Sequence, residues 1–277
     1  MMLTEETAQK LQYLEAFLHT LGRCTVAVSG GIDSMLLAWI ANNCLGESAL
    51  IVHATSPAVS RNDGERVRKY ASRCNWHYKE IVSQALQSEH YQSNPLNRCY
   101  YCKSSLYINL GDLQHGQVIT GTNLDDLSDF RPGLIAAQEQ EVRHPYTECQ
   151  INKAEIRQIA CYFQLTDLQD LPASPCLSSR IETGIRINPE QLTLIDRVES
   201  YVNQHLPGET IRLRIRKEGM VLELAAEVLN RLDPVLKARL SRCITDMAQQ
   251  SGLSAPLYLR AYQRGSAFVG NKTGMEF

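Results

Sequence analysis

The sequence predicts an α/β protein: a parallel β-sheet flanked by helices, followed by a smaller α+β domain. Three observations carry this. Short apolar runs alternate with stretches of helical period through the first two-thirds of the chain, as in sheets covered on both faces. The first apolar run ends in the turn Ser29-Gly30-Gly31-Ile32-Asp33-Ser34, and Leu36, Leu37, Ile40 and Ala41 follow at helical spacing. Beyond Pro189 the pattern changes to a helix, two alternating strands around Gly219, another helix and a last strand. The expected domains are residues 1–188 and 189–277. The second has roughly 90 residues, a size at which a core is marginal alone. Residues 171–188 read as an irregular connection carrying reactive side chains.

Taken in order, Leu11, Leu14, Phe17, Leu18 and Leu21 give an amphipathic helix capped near Thr4 and ended by Gly22. Val26-Ala27-Val28 is a buried strand, and the helix after the glycine turn runs to Gly46. Ala49–Ala54 is a second strand leading into Thr55-Ser56-Pro57. Arg61 to Cys74 reads as a helix, Trp76 to Val82 as a third strand, and Gln117–Thr120 as a strand entering Gly121-Thr122-Asn123. Leu192–Val202 and Pro234–Met247 read as helices, and Thr210–Arg216, Met220–Leu224 and Leu257–Tyr262 as strands. Ligands of open parallel sheets sit at the carboxyl ends of the strands. Loops 29–34, 54–57 and 121–126 reach that edge, so Ala54, Gly121, Thr122 and Asn123 should surround one nucleotide with the glycine turn.

The 277 residues are 44% hydrophobic and 21% charged, the balance of a globular chain with a sizeable core. A net charge of −2 gives no basic footprint for nucleic acid. No apolar run reaches membrane-spanning length, and no signal peptide is evident, so a cytoplasmic location is expected. Nine cysteines, an odd number, argue against a disulfide framework; most, such as Cys24 and Cys161, are expected to be buried thiols.

The glycine turn is suited to phosphate. Gly30 and Gly31 permit positive φ and close backbone approach, Ser29 and Ser34 add hydroxyls, and a helix N-terminus carries partial positive charge. A Walker lysine is missing. SGGIDS instead resembles the PP-loop of ATP pyrophosphatases, which split ATP into AMP and pyrophosphate while adenylating a substrate. In the loop after Thr120, Asp126 suits Mg²⁺ and Arg131 a phosphoryl oxygen, beside Asp125 and Asp129; an Asx-rich turn is the plainer reading.

Cys99 and Cys102 form a C-x-x-C whose sulfurs would share a face on a helix. It could be half a zinc site, a redox pair or two unconnected thiols. The third thiol this reading selects is Cys176, in a polar loop with Arg180 and Arg186. Three thiolates can hold a [4Fe–4S] cluster with one iron open. In Ile211–Arg216, Arg212, Arg214 and Arg216 project from one strand face, a platform for a phosphorylated substrate. Glu199 and Glu223 are their expected salt-bridge partners, or metal ligands. A merely solvated face is the alternative.

Together these stretches resemble one family. SGGIDS, NRCYYCKS, GTNLDDLSDFRPG, HPYTE with NKAEIRQIA, PCLSSRI with TGIRI, and RLRIR followed by LEL stand in the order seen in LarE, the ATP-dependent sulfur transferases of nickel-pincer nucleotide biosynthesis. The likeness runs from about Leu11 to Leu224. It implies a PP-loop fold of the adenine nucleotide alpha-hydrolase type and a substrate that is a pyridinium mononucleotide with two carboxylates. ATP would adenylate each carboxylate, and sulfur would displace AMP to leave a thiocarboxylate. The resemblance implies that Ser29, Gly30, Gly31, Asp33 and Ser34 bind ATP, that Asp33 and Arg180 act in catalysis, and that Cys176 is the sulfur site. Sulfur would come either from Cys176 itself, which becomes dehydroalanine, or from a [4Fe–4S] cluster on Cys99, Cys102 and Cys176. Arg212 and Arg214 would bind substrate phosphate, with Glu199 and Glu223 lining that pocket. A homo-oligomer is implied. Thr183 stands before Gly184 where the family pattern has tyrosine.

Two rival enzymes share much of this pattern. A PP-loop tRNA thiolase would need an RNA-binding surface that the charge does not supply. An ammonia-dependent ligase of the NAD synthetase type would use no cysteine. A nucleotide-binding regulator is a third, non-enzymatic reading.

Overall fold

A computed structural model describes residues 2–128, 132–263 and 265–269. In chain order its elements are α1 (Glu5–Leu21), β1 (Cys24–Val28), α2 (Ile32–Leu45), β2 (Ala49–Thr55), α3 (Arg61–Arg73), β3 (Tyr78–Val82), α4 (Glu89–Gln92), α5 (Arg98–Gly111), β4 (Gln117–Thr120), α6 (Pro132–Glu139), α7 (Pro145–Glu148), α8 (Lys153–Tyr162), α9 (Thr166–Gln169), α10 (Pro189–His205), β5 (Ile211–Arg216), β6 (Gly219–Leu224), α11 (Ala226–Arg231), α12 (Pro234–Gln250) and β7 (Leu257–Ala261). They form two compact units: the chain up to Ala85 with Cys99–Ser174, and Leu86–Arg98 with the chain from Pro175 onward.

The first unit is a four-stranded parallel sheet in the order β3-β2-β1-β4, flanked by helices, as the alternating pattern predicts. Side-chain alternation along β1 and β2 divides its core in two. Val26, Val28, Ala49 and Ile51 face Leu14 and Leu18 of α1, Met35, Leu36 and Ile40 of α2, and Ile156 and Ile159 of α8. Leu50, Val52 and Val118 face Tyr107 and Leu110 of α5 and Ala136 and Ala137 of α6. Truncating a fully buried member such as Leu36 to alanine would cost about 2–5 kcal/mol. Thr4 caps α1, its Oγ1 accepting from Thr7 N at 3.2 Å. A reciprocal capping box, Asn152 with Glu155, starts α8 and fixes Lys153 at its first position.

In the second unit, β5 and β6 form an antiparallel hairpin and β7 joins β6 in parallel, giving the order β5-β6-β7. The long helix α10 opens with an Asn188–Gln191 capping box and buries Leu192, Ile195, Val198 and Val202. Residues 86–98 belong here through Asn94, whose Nδ2 donates to the carbonyls of Ile181, Glu182 and Ile185 at 3.3, 2.9 and 3.0 Å. Gly184 N returns a bond to Asn94 O at 2.9 Å.

Candidate functional site

In the first unit the glycine turn lies at the carboxyl end of β1, the central-strand position that predicts a ligand edge. Gly30 has φ +91°, and an added Cβ would lie 2.7 Å from both Cβ and O of Asp63. Glycine is therefore required by conformation and by packing. Ser29 N donates to Ser34 Oγ at 3.0 Å, the two hydroxyls are 3.1 Å apart, and Ser34 Oγ donates to Gly31 O at 3.1 Å. Gly31 is the N-cap of α2 and makes no side-chain cap. The first N–H groups of α2 thus keep the anion-binding character of an uncapped helix start.

Asp33, in the first turn of α2, is tied to the other strand ends. Lys153 Nζ lies 2.7 and 2.6 Å from its two carboxylate oxygens, and Asn123 Nδ2 donates to Oδ1 at 3.3 Å. Tyr146, fully buried with its phenol pKa raised by desolvation, donates to Asp33 O at 3.1 Å. Gly121 lets the end of β4 approach this turn: its Cβ would fall 2.8 Å from Asp33 C and Ser34 N. The loop after β4 carries its own Asx bonds. Asn123 N donates to Asp126 Oδ2 at 3.1 Å, Asp125 N to Asn123 Oδ1 at 3.0 Å, and Lys153 N to Asp125 Oδ2 at 2.8 Å. One oxygen of the Mg²⁺ candidate Asp126 therefore closes a local turn. Thr147 Oγ1 donates to Thr122 O at 3.2 Å, and Thr120 Oγ1 is 2.8 Å from His144 Nδ1. Ala54 is half-buried on β2, opposite Ile81. Arg131 and Asp129 lie outside the described residues.

Sequence reasoning missed a second support for the turn. Arg66 Nη1 donates to Gly30 O at 2.7 Å and to Asp63 Oδ1 at 2.5 Å, while Ser174 Oγ donates to Asp63 Oδ2 at 2.7 Å. The same holds for Lys153. Its place in NKAEIRQIA gave a helix start but not the partner, Asp33, 120 positions earlier.

In the second unit Arg180 is 3% exposed and organises the Cys176 bend. Its Nη1 donates to the carbonyls of Pro175 and Cys176 at 2.5 and 3.2 Å, and its Nε and Nη2 grip Glu199, each at 3.0 Å. Glu199 Oε1 also accepts from Leu213 N at 2.9 Å, which ties α10 to β5. Arg214 Nε donates to Glu223 Oε2 at 3.0 Å and its Nη1 to Ser179 O at 2.9 Å. Arg216 Nη2 and Ser266 Oγ share Glu223 Oε1 at 2.8 and 2.7 Å. Glu223 thus pairs with the strand arginines Arg214 and Arg216 as expected, whereas Glu199 is paired with Arg180. Burial, then the neighbouring Arg180 and Arg214 charges, lower the pKa of Arg212. An anionic phosphate would relieve that excess.

The thiols sort by burial. Desolvation pushes Cys24 up to about 12 and Cys44 and Cys149 to about 11, which marks them as inert. Cys99 and Cys102 are half-buried and three residues apart on α5; Cys176 is exposed. Among the described residues, no three His, Cys, Asp or Glu side chains gather as a metal site.

No family model matches the chain. An uncharacterized protein of Synechocystis is 36% identical over 262 residues, covering 92% of this chain and 96% of that protein. The pyridinium-3,5-bisthiocarboxylic acid mononucleotide synthase of Lactiplantibacillus plantarum is 29% identical over 222 residues, covering 78% of this chain and 80% of its own. This similarity and the order of the motifs both point to the LarE family. An uncharacterized protein of Methanocaldococcus jannaschii, 28% identical over 219 residues, covers 76% of this chain and 82% of its own length. The strand–turn–helix and parallel sheet are those of a PP-loop protein, as the resemblance to LarE implies. In this chain the SGGIDS turn and the CLSSR bend both have defined hydrogen-bonded supports, Asp63 with Arg66 for one and Arg180 with Glu199 for the other.

Proposed function

We propose that the protein adenylates the carboxylates of a pyridinium-3,5-biscarboxylic acid mononucleotide with ATP and converts them to thiocarboxylates, with sulfur delivered at Cys176. The observation that carries this reading is the bond from Ser174 to Asp63, the residue packed on Gly30. Cys176 follows Ser174 by two residues, and two peptide units span at most about 7 Å. Chain connectivity alone therefore supports a sulfur position within reach of the glycine turn.

A carboxylate oxygen attacks the α-phosphorus of ATP, the α–β phosphoanhydride breaks, and pyrophosphate leaves with the electron pair. Ser29, Ser34 and the first N–H groups of α2 hold the polyphosphate, and Lys153 stands ready to share its charge between Asp33 and a phosphoryl oxygen. Such preorganised donors are most effective where charge develops. Asp126 would hold Mg²⁺, which neutralises charge on pyrophosphate when bound. A sulfur nucleophile then adds to the acyl carbon, and AMP departs with the former carboxylate oxygen. In the sacrificial route Cys176 Sγ forms the acyl–sulfur bond. Loss of its Cα proton and cleavage of its Cβ–S bond then leave dehydroalanine and the thiocarboxylate. Cys99, Cys102 and Cys176 have the soft donors and accessibility that a [4Fe–4S] cluster takes; when bound, it would present a spare sulfide at its open iron. Arg212 and Arg214 bind the substrate phosphate, Arg214 being oriented by Glu223, and Glu199 keeps Arg180 on the bend. Residues 189–277 would supply this substrate-binding part.

The test is incubation with ATP, Mg²⁺ and the pyridinium biscarboxylate. Substrate-dependent pyrophosphate release and a product mass shifted by sulfur-for-oxygen exchange are expected. ATP turnover without sulfur incorporation would contradict the reading.

A further inference from the structure

Asp63 joins two parts of the first unit that no motif connects. It is buried in the first turn of α3, 7% exposed. Its carboxylate accepts from Ser60 Oγ at 2.7 Å, Arg66 Nη1 at 2.5 Å and Ser174 Oγ at 2.7 Å. Behind the carboxylate, its Cβ and carbonyl press on Gly30 so closely that no side chain fits there. Arg66 closes the circuit by donating to Gly30 O at 2.7 Å. Close-packed contacts transmit displacement rather than absorb it. A shift of Gly30 on phosphate binding therefore moves Asp63, and the hydrogen bond passes that movement to Ser174.

The bonds to Asp63 differ in kind. Arg66 neutralises the carboxylate and Ser60 is held in the helix cap, where Asp63 N also donates to Ser60 Oγ at 3.2 Å. Ser174 is exposed and lies on a segment without regular structure, so its bond is the exchangeable one. We propose that Ser174 is a positioning residue. Its bond to Asp63 holds the last residue of the first unit beside the glycine turn, and Cys176 follows two residues along the chain, so that triphosphate occupancy and nucleophile placement are coupled. This rests on the reading that the turn binds ATP and that Cys176 delivers sulfur. The role assigned to Ser174 is placement rather than adenylation, because its hydroxyl bonds to Asp63 behind the turn.

The test compares the full-length wild-type chain with Ser174→Ala and Ser174→Thr, using ATP and the pyridinium biscarboxylate. Two readouts are taken: substrate-dependent ATP–pyrophosphate exchange, and single-turnover thiocarboxylate formation. Asp63 keeps its bonds from Ser60 and Arg66 when the Ser174 hydroxyl is lost, so the fold should be retained, which thermal melts check. Ser174→Ala should keep exchange within about twofold and slow thiocarboxylate formation about tenfold, the scale expected of a small misplacement. Ser174→Thr, which keeps the hydroxyl, should restore the rate to within about twofold. Equal loss of both activities, no loss of either, or failure of threonine to rescue would overturn the proposal. Absence of exchange in the wild-type chain would instead sink the sulfur-transferase reading itself, and this inference with it.

Discussion

Lys153 Nζ stands 2.6 and 2.7 Å from the two carboxylate oxygens of Asp33, so the first residue of α8 and the first turn of α2 share one ion pair at the rim of the sheet. The pair is about one-third exposed, so its worth to stability is small, about 0.2–1 kcal/mol. In the proposed reaction its value lies in poising a cation where pyrophosphate charge grows. Lys153→Met should lower substrate-dependent pyrophosphate release about 100-fold, the loss typical of one preorganised donor, with little change in melting temperature. Steady-state pyrophosphate assays beside thermal melts check both halves.

Gly30→Ala should fail for steric reasons. At φ +91° any side chain is strained, and the new methyl would lie 2.7 Å from the Asp63 backbone. A destabilisation of about 1–3 kcal/mol is expected, together with loss of ATP-dependent activity. Urea unfolding measures the first and pyrophosphate release the second.

Arg214 and Glu223 are almost fully buried, and removing one partner strands the other charge. Arg214→Met should therefore destabilise the protein by about 3–5 kcal/mol. Arg212→Lys keeps the charge but not the planar fork. It should raise the KM for the mononucleotide while leaving kcat nearly unchanged, and initial-rate kinetics separate the two effects.

Acid should weaken the fold. Burial lowers the pKa of His144 from its usual 6.5, and burial followed by the Arg23 charge lowers that of His115. In the unfolded chain both protonate near 6.5, whereas the folded protein resists until lower pH. Stability is therefore full above about 6.5 and falls as pH drops from there through the folded pKa values. Urea midpoints at about pH 7.5 and 5.5 should differ in that sense, and His144→Gln should narrow the difference.

Local signals made half of this architecture legible. The run Val26–Val28, the glycine turn and Leu36–Ala41 carry their periodicity in adjacent residues, so β1, the turn and α2 could be read directly. The strand Ile211–Arg216 likewise showed its arginines by alternation. What could not be read depends on distant pairing. Asp63 lies in a segment readable only as a helix, and its packing on Gly30 and its bond to Ser174 reveal a scaffold role. Arg180 read as a cation activating a nearby thiol. In the fold it also holds Glu199 and the Pro175 and Cys176 carbonyls, and so shapes the bend. Asn94 gave no sequence signal, because its partners lie about ninety positions ahead.

The route of sulfur can be separated by metal content. Protein purified without oxygen should be brown and contain iron if Cys99, Cys102 and Cys176 hold a cluster. A colourless, iron-free protein that still yields one thiocarboxylate per chain would place the sulfur in Cys176 itself, and mass spectrometry would then find dehydroalanine at that position.

The most direct measurement is the partial reaction of Cys176→Ala. With ATP, Mg²⁺ and the pyridinium biscarboxylate, this variant should still exchange pyrophosphate into ATP at close to the wild-type rate while forming no thiocarboxylate. Continued thiocarboxylate formation without the Cys176 thiol would contradict the account.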